Sequence, residues 1–560
     1  MEGQKEKMVL SSLKTVLGRH EAALIFLLGV LLLLPRIWCE TSITGQDEYW
    51  LSFRTPMETL ERGEWFTPWV NGEPRLKKPP LLYWAILLTY KLFGINLFAA
   101  RIWGVLSGAG LAMSACLLYR ELFKKSGMLA GLITLATISV AIEGRRAMLD
   151  HPLAFFTSMA VYFAIGWGRS GRQGWILLAA VFLGLSFMVK GPVGIVLFAV
   201  GAFSALFVFG KWSFALSHWS QIALSFALLL AVCLPWPLTM AYLWPDFFEI
   251  VDREIAARHL GAVHFGAPFS TLGGALGLIF PWSLILIAAL IHSIGHGKVT
   301  AGRGDLWLSV WFLGCVVPFF FLEAFARYMM PIVPAACVLC ASWLERYEGK
   351  WKGALLGISM SLMALIAIPF CLFIIWFGHG VLIGLVCLLF VGLMLWVTFA
   401  IGDMRLVALS VVLLLALIMG GLYPSLGINA MPADLDEIVG ASQVAAYNGS
   451  QPSMLSIRLK RSAIRMRSFD KEDMRRLKRF KGFVFMKGAD AEGFEDLAKE
   501  LGIHFEKAGR FKSFYSRQAW IRFAREDATL DDWKRAIKTH SLADLRPIIC
   551  YYRVNRKIED

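Results

Sequence analysis

Residues 353–377 read GALLGISMSLMALIAIPFCLFIIWF, without one Asp, Glu, Lys or Arg. A helix needs about 20 mainly apolar residues to cross the hydrocarbon layer of a bilayer, and this stretch meets that length alone. Two more stretches follow at 380–400 and 404–424. Working back towards the N-terminus, the same reading finds 328–344, 305–322, 274–293, 221–241, 191–210, 174–189, 150–168, 128–143, 97–119 and 22–38, thirteen candidates in all. The stretch 81–95, LLYWAILLTYKLFGI, is shorter and flanked by loop residues. It reads as an interfacial or re-entrant helix. The expected fold is therefore mainly α, a polytopic membrane protein of about 13 transmembrane helices. Composition agrees: 57% of the 560 residues are hydrophobic, 17% are charged, and mean hydropathy is +0.60. Soluble domains carry nearer a quarter charged residues.

Loop charges set the orientation, because Lys and Arg in short loops mark the cytoplasmic side. The N-terminus holds Lys5, Lys7, Lys14 and Arg19. The next basic loops hold Arg120, Lys124 and Lys125, then Arg169 and Arg172, then Lys211, then Lys298 and Arg303. Arg346, Lys350 and Lys352 follow, then Arg405. The alternation predicts a cytoplasmic N-terminus, a C-terminus outside and a periplasmic tail. No small-residue cleavage site precedes Cys39, so the first span reads as uncleaved. The net charge of +15 lies largely in these loops and in the tail. Membrane lipids and phosphate-bearing substrates account for it, and no nucleic acid partner is expected. Of the nine cysteines only Cys39 and Cys550 read as water-accessible, and no disulfide framework is expected.

Past about Gly421 the character changes, which divides the chain into a transmembrane domain, 1–424, and a soluble α/β domain, 425–560. In the tail, 453–459 and 463–469 alternate like strands and 483–486 (FVFM) reads as a buried strand. Residues 470–480, 491–501 and 530–540 read as helices. The basic run at 458–481 reads as a solvated or membrane-facing surface. No catalytic motif or internal repeat stands out there.

Four places outside the spans carry more charge than packing needs, all on the external side of this topology. The exit of the first span reads Gly45-Gln46-Asp47-Glu48-Tyr49, two adjacent carboxylates at the membrane boundary, where ionisable groups are costly and tend to be functional. The loop Asn71-Gly72-Glu73-Pro74-Arg75-Leu76-Lys77-Lys78-Pro79-Pro80 leads two lysines into an apolar helix. There they suit a phosphate or snorkel to headgroups. Glu143-Gly144-Arg145-Arg146 precedes Asp150-His151-Pro152; the Arg pair breaks the charge rule, and Asp150 also suits a helix cap. Arg327-Tyr328 precedes Pro331 and Pro334 and suits a phosphate clamp. The long loop at 242–273 adds Asp252, Arg253, Glu254, Arg258, His259 and His264, and Lys190-Gly191-Pro192 marks a tight break on the same side.

Asp-Glu at the first exit, NGEPRLKKPPLLYW, FAARIWGVLSG, RRAMLDHPLAFF, VKGPVGI and ARYMMPIVPA occur in that order. Over residues 40–345 the chain resembles the bacterial aminoarabinose lipid A transferases and their relatives, including protein mannosyltransferases. The resemblance implies a GT-C type inverting glycosyltransferase. Such an enzyme passes a sugar from a polyprenyl (undecaprenyl) phosphate donor to a lipid A, glycan or protein acceptor at the outer face of the membrane. Carried over by position, Asp47 matches the catalytic aspartate, with Glu48 beside it, and Asp150 a second aspartate near the site. Lys78 matches the donor-phosphate lysine, with Lys77 adjacent. Tyr328 and Arg327 match the phosphate-binding Arg-Tyr pair, and Arg258 loosely matches an arginine of the long external loop.

Two departures bear on a metal. Aminoarabinose transferases often carry Glu-Lys before the paired prolines and Glu-His in the long loop; here the pairs are Lys77-Lys78 and Glu254-Ile255. The expectation is no metal and no other cofactor. The reading weighed against a transferase is a transporter or lipid-linked-sugar flippase, which calls for midspan charges and repeated halves. Few such charges and no halves are found.

Overall fold

The computed structural model describes residues 20–45, 47–256, 267–296, 302–321, 325–447, 454–466, 471–514 and 524–555. Among them eight helices are long and apolar enough to cross a membrane, including Leu97–Phe123, Trp219–Leu243 and Trp351–Trp376. The predicted span 274–293 is a helix pair, Phe269–Leu278 and Ser283–Gly295, bent by 109°. The other four candidates fall short of that length and apolarity as single helices. The first is α1, the short helix His20–Leu33. The stretch 128–143 breaks at Ala136–Thr137 into the short helices Met128–Leu135 and Ile138–Glu143. The stretch 150–168 is Asp150–Ser170, which is not apolar enough to count with the eight, and 191–210 is the shorter helix Val193–Val208.

Seven further helices position the site and are numbered here in chain order: α2 Arg54–Arg62, α3 Leu81–Phe93, α4 Leu97–Phe123, α5 Met128–Leu135, α6 Ile138–Glu143, α7 Asp150–Ser170 and α8 Gln173–Lys190. The hairpin β1 Trp69–Val70 and β2 Glu73–Pro74 joins α2 to α3. At 13 residues α3 is too short to span. Asn96 starts α4 by accepting the Ala99 N–H at 2.8 Å, an N-cap that satisfies an orphan donor. Within α4, Gly104 and Gly108 let the 144–151 segment lie against the helix. A Cβ on Gly104 would meet the Arg146 carbonyl at 2.2 Å, the close approach that paired small residues permit in membrane helices.

The tail forms a five-stranded sheet of β3 Gln443–Ala446, β4 Ile464–Arg465, β5 Gly482–Lys487, β6 Phe505–Lys512 and β7 Ile548–Val554, in the order β4-β3-β5-β7-β6. β3 runs parallel to β4 and β5, and β7 antiparallel to β5 and β6. The expected helices occur as Lys471–Arg476, Ala491–Glu500 and Leu530–Thr539. The expected strand at 453–459 is instead the helical turn Leu455–Arg458. Its apolar residues alternate because they serve two cores: Leu455 packs with Phe483 and Phe485 of the sheet, and Ile457 with Tyr49, Phe53 and Met57 of the membrane domain. Cys550, expected to be accessible, is buried in β7.

The tail docks beside the exit of α1. Arg458, expected on an open surface, bridges Glu40 at 3.3 Å and Asp436 at 3.2 Å. The Ser462 hydroxyl donates to Glu58 of α2 at 2.8 Å. Burial pushes the Glu40 carboxyl above its ordinary range, against the pull of Arg458.

Candidate active site

Asp47 and Glu48 are adjacent in sequence and divide sharply in space. Glu48 is fully buried and holds the equally buried Arg101 of α4, with Oε1 to Nε at 2.7 Å and Oε2 to Nη2 at 3.1 Å. It also accepts the backbone N–H of Ala147 at 2.9 Å and of Gly45 at 3.2 Å. The guanidinium completes its donors on the carbonyls of Ile37 and Cys39. This two-pronged, charge-assisted pair ties together the exit of α1, α4 and the loop before α7. For Glu48, expected among the catalytic groups, both oxygens are engaged and none of its surface reaches solvent.

Arg145 does similar work. Expected in an anion-binding or buried pair, it donates to the carbonyls of Pro35 at 2.7 Å and Leu32 at 2.6 Å, capping the C-terminal end of α1. Its neighbour Arg146 pairs with Glu143 at 2.7 Å. The two arginines that break the loop-charge rule thus find partners inside the protein.

Asp47 turns the other way. Its side chain is 44% exposed, and Oδ2 meets Arg327 Nη2 at 2.8 Å. The same guanidinium places Nε 3.4 Å from Oδ2 of Asp150, whose side chain is only 3% exposed. Asp150 opens α7 but makes no cap there; its other oxygen takes Lys190 Nζ at 2.5 Å. Lys190 ends α8, where Gly191 turns the chain with φ +73°, a conformation glycine adopts without strain. Its ammonium lies 3.5 Å over the Tyr328 ring, a cation–π contact. Residues far apart in sequence, Asp47, Asp150, Lys190, Arg327 and Tyr328, are therefore one continuous polar group at one end of the helical bundle. Lys190 lay in the VKGPVGI motif but had no assigned role. A lysine ending an apolar helix beside Gly-Pro was its available signal.

Lys77 and Lys78 form a second group. Both ammoniums reach Glu254 of the helix Phe247–Ala256, Lys78 at 3.3 Å and Lys77 at 3.8 Å. Leu76, just before them, shares an apolar cluster with Met188, two residues before Lys190, which links this group to the end of α8. Arg258, His259 and His264 lie outside the described residues. Among the described residues no three His, Cys, Asp or Glu side chains gather as a metal site would need. Lys77 and Ile255 stand at the two presumed ligand positions, and two ammoniums crowd Glu254. A lysine and an isoleucine at these positions do not fit a divalent ion.

Residues 77–236 match the family described as dolichyl-phosphate-mannose-protein mannosyltransferase. The undecaprenyl phosphate-alpha-4-amino-4-deoxy-L-arabinose arabinosyl transferase of Pseudomonas aeruginosa (strain UCBPP-PA14) is 28% identical over 331 residues, covering 55% of this chain and 58% of the relative. The enzyme of that name from Yersinia enterocolitica is 26% identical over 398 residues, 66% of this chain and 68% of the relative. The chain spans about half the length of several relatives, 36–58% in two Aquifex aeolicus proteins and the Pseudomonas enzyme. Among solved structures, ArnT from Cupriavidus metallidurans bound to undecaprenyl phosphate superposes with a TM-score of 0.70 at 18% identity, covering 96% of this chain and 97% of that one. The fold is that of the solved ArnT structure, a polytopic bundle of apolar helices with a small sheet at the C-terminus. Over parts of its length the sequence is similar to the aminoarabinose arabinosyl transferases and to the dolichyl-phosphate-mannose-protein mannosyltransferase family.

Proposed function

We propose that this chain is an inverting glycosyltransferase. It would move a sugar from a polyprenyl phosphate to a lipid A, glycan or protein acceptor at the outer face of the inner membrane. The observation that carries this reading is the half-exposed Asp47 held by Arg327, which is itself anchored on the buried Asp150–Lys190 pair. The arabinosyl transferases among its relatives act from undecaprenyl phosphate by name.

In this reaction the acceptor oxygen attacks the anomeric carbon from the face opposite the phosphate. The bond from that carbon to the phosphate oxygen breaks, and its electron pair stays on the lipid phosphate. The proton of an acceptor hydroxyl passes to Asp47, a role that needs an accessible carboxylate within hydrogen-bond reach. Arg327 faces the charge growing on the phosphate. It is preorganised by Asp150, so little reorganisation is required when charge develops. Lys190 neutralises Asp150 and keeps that buried carboxylate from drawing Arg327 away. Tyr328 lies against Lys190, and Lys78 with Lys77 extends positive potential along the route of the polyprenyl tail. Glu48 and Arg101 fix the backbone from which Asp47 projects.

The orientation belongs to the proposal: N-terminus cytoplasmic, and residues 425–560 a separate domain on the periplasmic side. The tethers from Arg458 to Glu40 and from Ser462 to Glu58 support it, since they dock the tail beside Asp47. The test is release of undecaprenyl phosphate from a synthetic undecaprenyl-phosphate sugar by the purified protein, with lipid A, glycan or peptide acceptors in parallel. Transfer to one acceptor class, lost in Asp47→Asn, supports the reading. No transfer to any acceptor, with ATP-independent movement of the lipid-linked sugar across vesicles, would replace it with a flippase.

A further inference from the structure

At the far end of the bundle from Asp47 lies a cavity of about 760 Å³ between the ends of α4 and α7, the helix Val193–Val208 and the span Arg303–Phe320. Asp150 opens α7 at the site and Arg169 stands near the other end, roughly 30 Å away at about 1.5 Å per residue. The two places are thus a bilayer core apart. The size falls in the ~300–1,000 Å³ range of small-molecule sites, and its walls are mainly apolar and aromatic.

The charged residues on those walls are all of one sign. Lys125, Arg169, Lys211, Arg303 and Arg346 line the cavity, and among the described residues no carboxylate does. Two are partly neutralised from outside it, Arg169 by Glu121 at 3.2 Å and Arg346 by Asp305. Lys125, Lys211 and Arg303 pair with no carboxylate among the described residues. The Arg346 guanidinium lies 4.7 Å over the Phe123 ring and Lys211 Nζ 5.4 Å from the Phe214 ring, so these cations sit directly on the aromatic wall. An apolar chamber ringed by cations at one membrane surface is complementary to an amphiphile with an anionic head and apolar tails.

We propose that this cavity is a binding site for an anionic diacyl phospholipid of the leaflet opposite the Asp47 site. The acyl chains fill the apolar chamber, and the headgroup phosphate meets Lys125, Lys211 and Arg303. In the orientation proposed above this is the cytoplasmic leaflet, whose anionic lipids draw basic pockets between helices. The site stands apart from the transfer reaction, and the inference does not depend on that reading.

The experiment is native mass spectrometry of the full chain released from nanodiscs of phosphatidylglycerol or phosphatidylcholine. Phosphatidylglycerol is expected to stay bound where phosphatidylcholine is lost. Lys125→Gln/Lys211→Gln/Arg303→Gln is expected to weaken its retention by about 100-fold, from three cations at a membrane surface. Lys125→Arg/Lys211→Arg/Arg303→Lys keeps the charge and is expected to keep the lipid, which separates lost charge from misfolding. Ala202→Trp, on the chamber wall, is expected to exclude the lipid with the cations intact. Equal retention of both lipids, unchanged retention in the Gln variant, or displacement by inorganic phosphate with Ala202→Trp silent would each overturn the proposal.

Discussion

The two adjacent carboxylates at the exit of α1 should respond to substitution in opposite ways. Glu48→Gln keeps the shape of the side chain and removes its charge. It leaves the Arg101 guanidinium, 0% exposed, without the carboxylate that now sits 2.7 and 3.1 Å away. Breaking a buried ion pair by removing one partner costs about 3–5 kcal/mol, because the remaining charge stays desolvated. Glu48→Met/Arg101→Met removes both charges and should recover much of that loss, since an apolar pair of similar volume is often nearly neutral. The coupling read from the four proteins reports the pair itself. Asp47→Asn is the contrasting case. Its pair with Arg327 is 44% and 20% exposed, so the loss of stability should be at most about 1 kcal/mol after solvent screening. Sugar transfer should instead fall by roughly 10²–10⁴ if Asp47 takes the proton. Fluorescence-monitored thermal unfolding in detergent and steady-state transfer on the folded fraction separate the two effects. A Glu48→Gln protein that melts like the parent while kcat collapses as far as in Asp47→Asn would refute this division of labour.

Four other outcomes are expected. Lys190→Met should lower kcat by about 10–10³-fold by letting Asp150 draw on Arg327 alone, with partial rescue in Lys190→Arg; a shift confined to KM would argue against a positioning role. Arg327→Ala and Lys78→Ala should each reduce kcat/KM by about 10–10³-fold and combine sub-additively if both act on one phosphate charge; fully multiplicative losses in folded protein would place Lys78 away from the donor. Turnover should survive strong chelation, because Lys77 and Ile255 stand where relatives carry metal ligands; loss restored by one divalent ion would show another ligand set at work. A periplasm-active reporter fused after Asp560 should be active and a cytoplasm-only reporter silent; the reverse would invert the proposed topology.

Much of the architecture was legible because apolar length is a one-dimensional property. The span 351–376 needs no partner to be recognised, and 305–322 and 328–344 fall within a few residues of their helices. The stretch 128–143 reads as one span, yet it breaks at Ala136–Thr137. Length counts apolar residues but does not register where a helix stops to bring Arg145 and Arg146 inward. In the tail, β5 was visible as a buried apolar run. β6, FEKAGRFK, alternates between exposed and half-buried at a sheet edge and carries no apolar period to find. The site divides in the same way. Asp47, Asp150 and Arg327 stood out because charge at a membrane boundary is costly, and the structure brings them together. The separate fates of Asp47 and Glu48 depend on Arg101, a single charge inside FAARIWGVLSG. Only its three-dimensional partner distinguishes it from a residue reaching for headgroups.

The charge balance of the site also bears on the order of the proposed reaction. Asp47 and Asp150 carry two formal negative charges, and Arg327 and Lys190 two positive ones, so the group is neutral without a substrate. A lipid phosphate adds negative charge and needs a cation, and Arg327 already serves both carboxylates. Drawing Arg327 away from Asp150 would leave a carboxylate that is 3% exposed with less compensation, whereas Asp47 at 44% can turn to water or to an acceptor. The phosphate should therefore displace Asp47 and not Asp150. Until the donor arrives, the guanidinium occupies Asp47 Oδ2. Once the donor is seated, Asp47 is released beside the anomeric carbon it must serve. Such an arrangement favours donor binding before acceptor activation, and it withholds the base from any hydroxyl that enters an empty site.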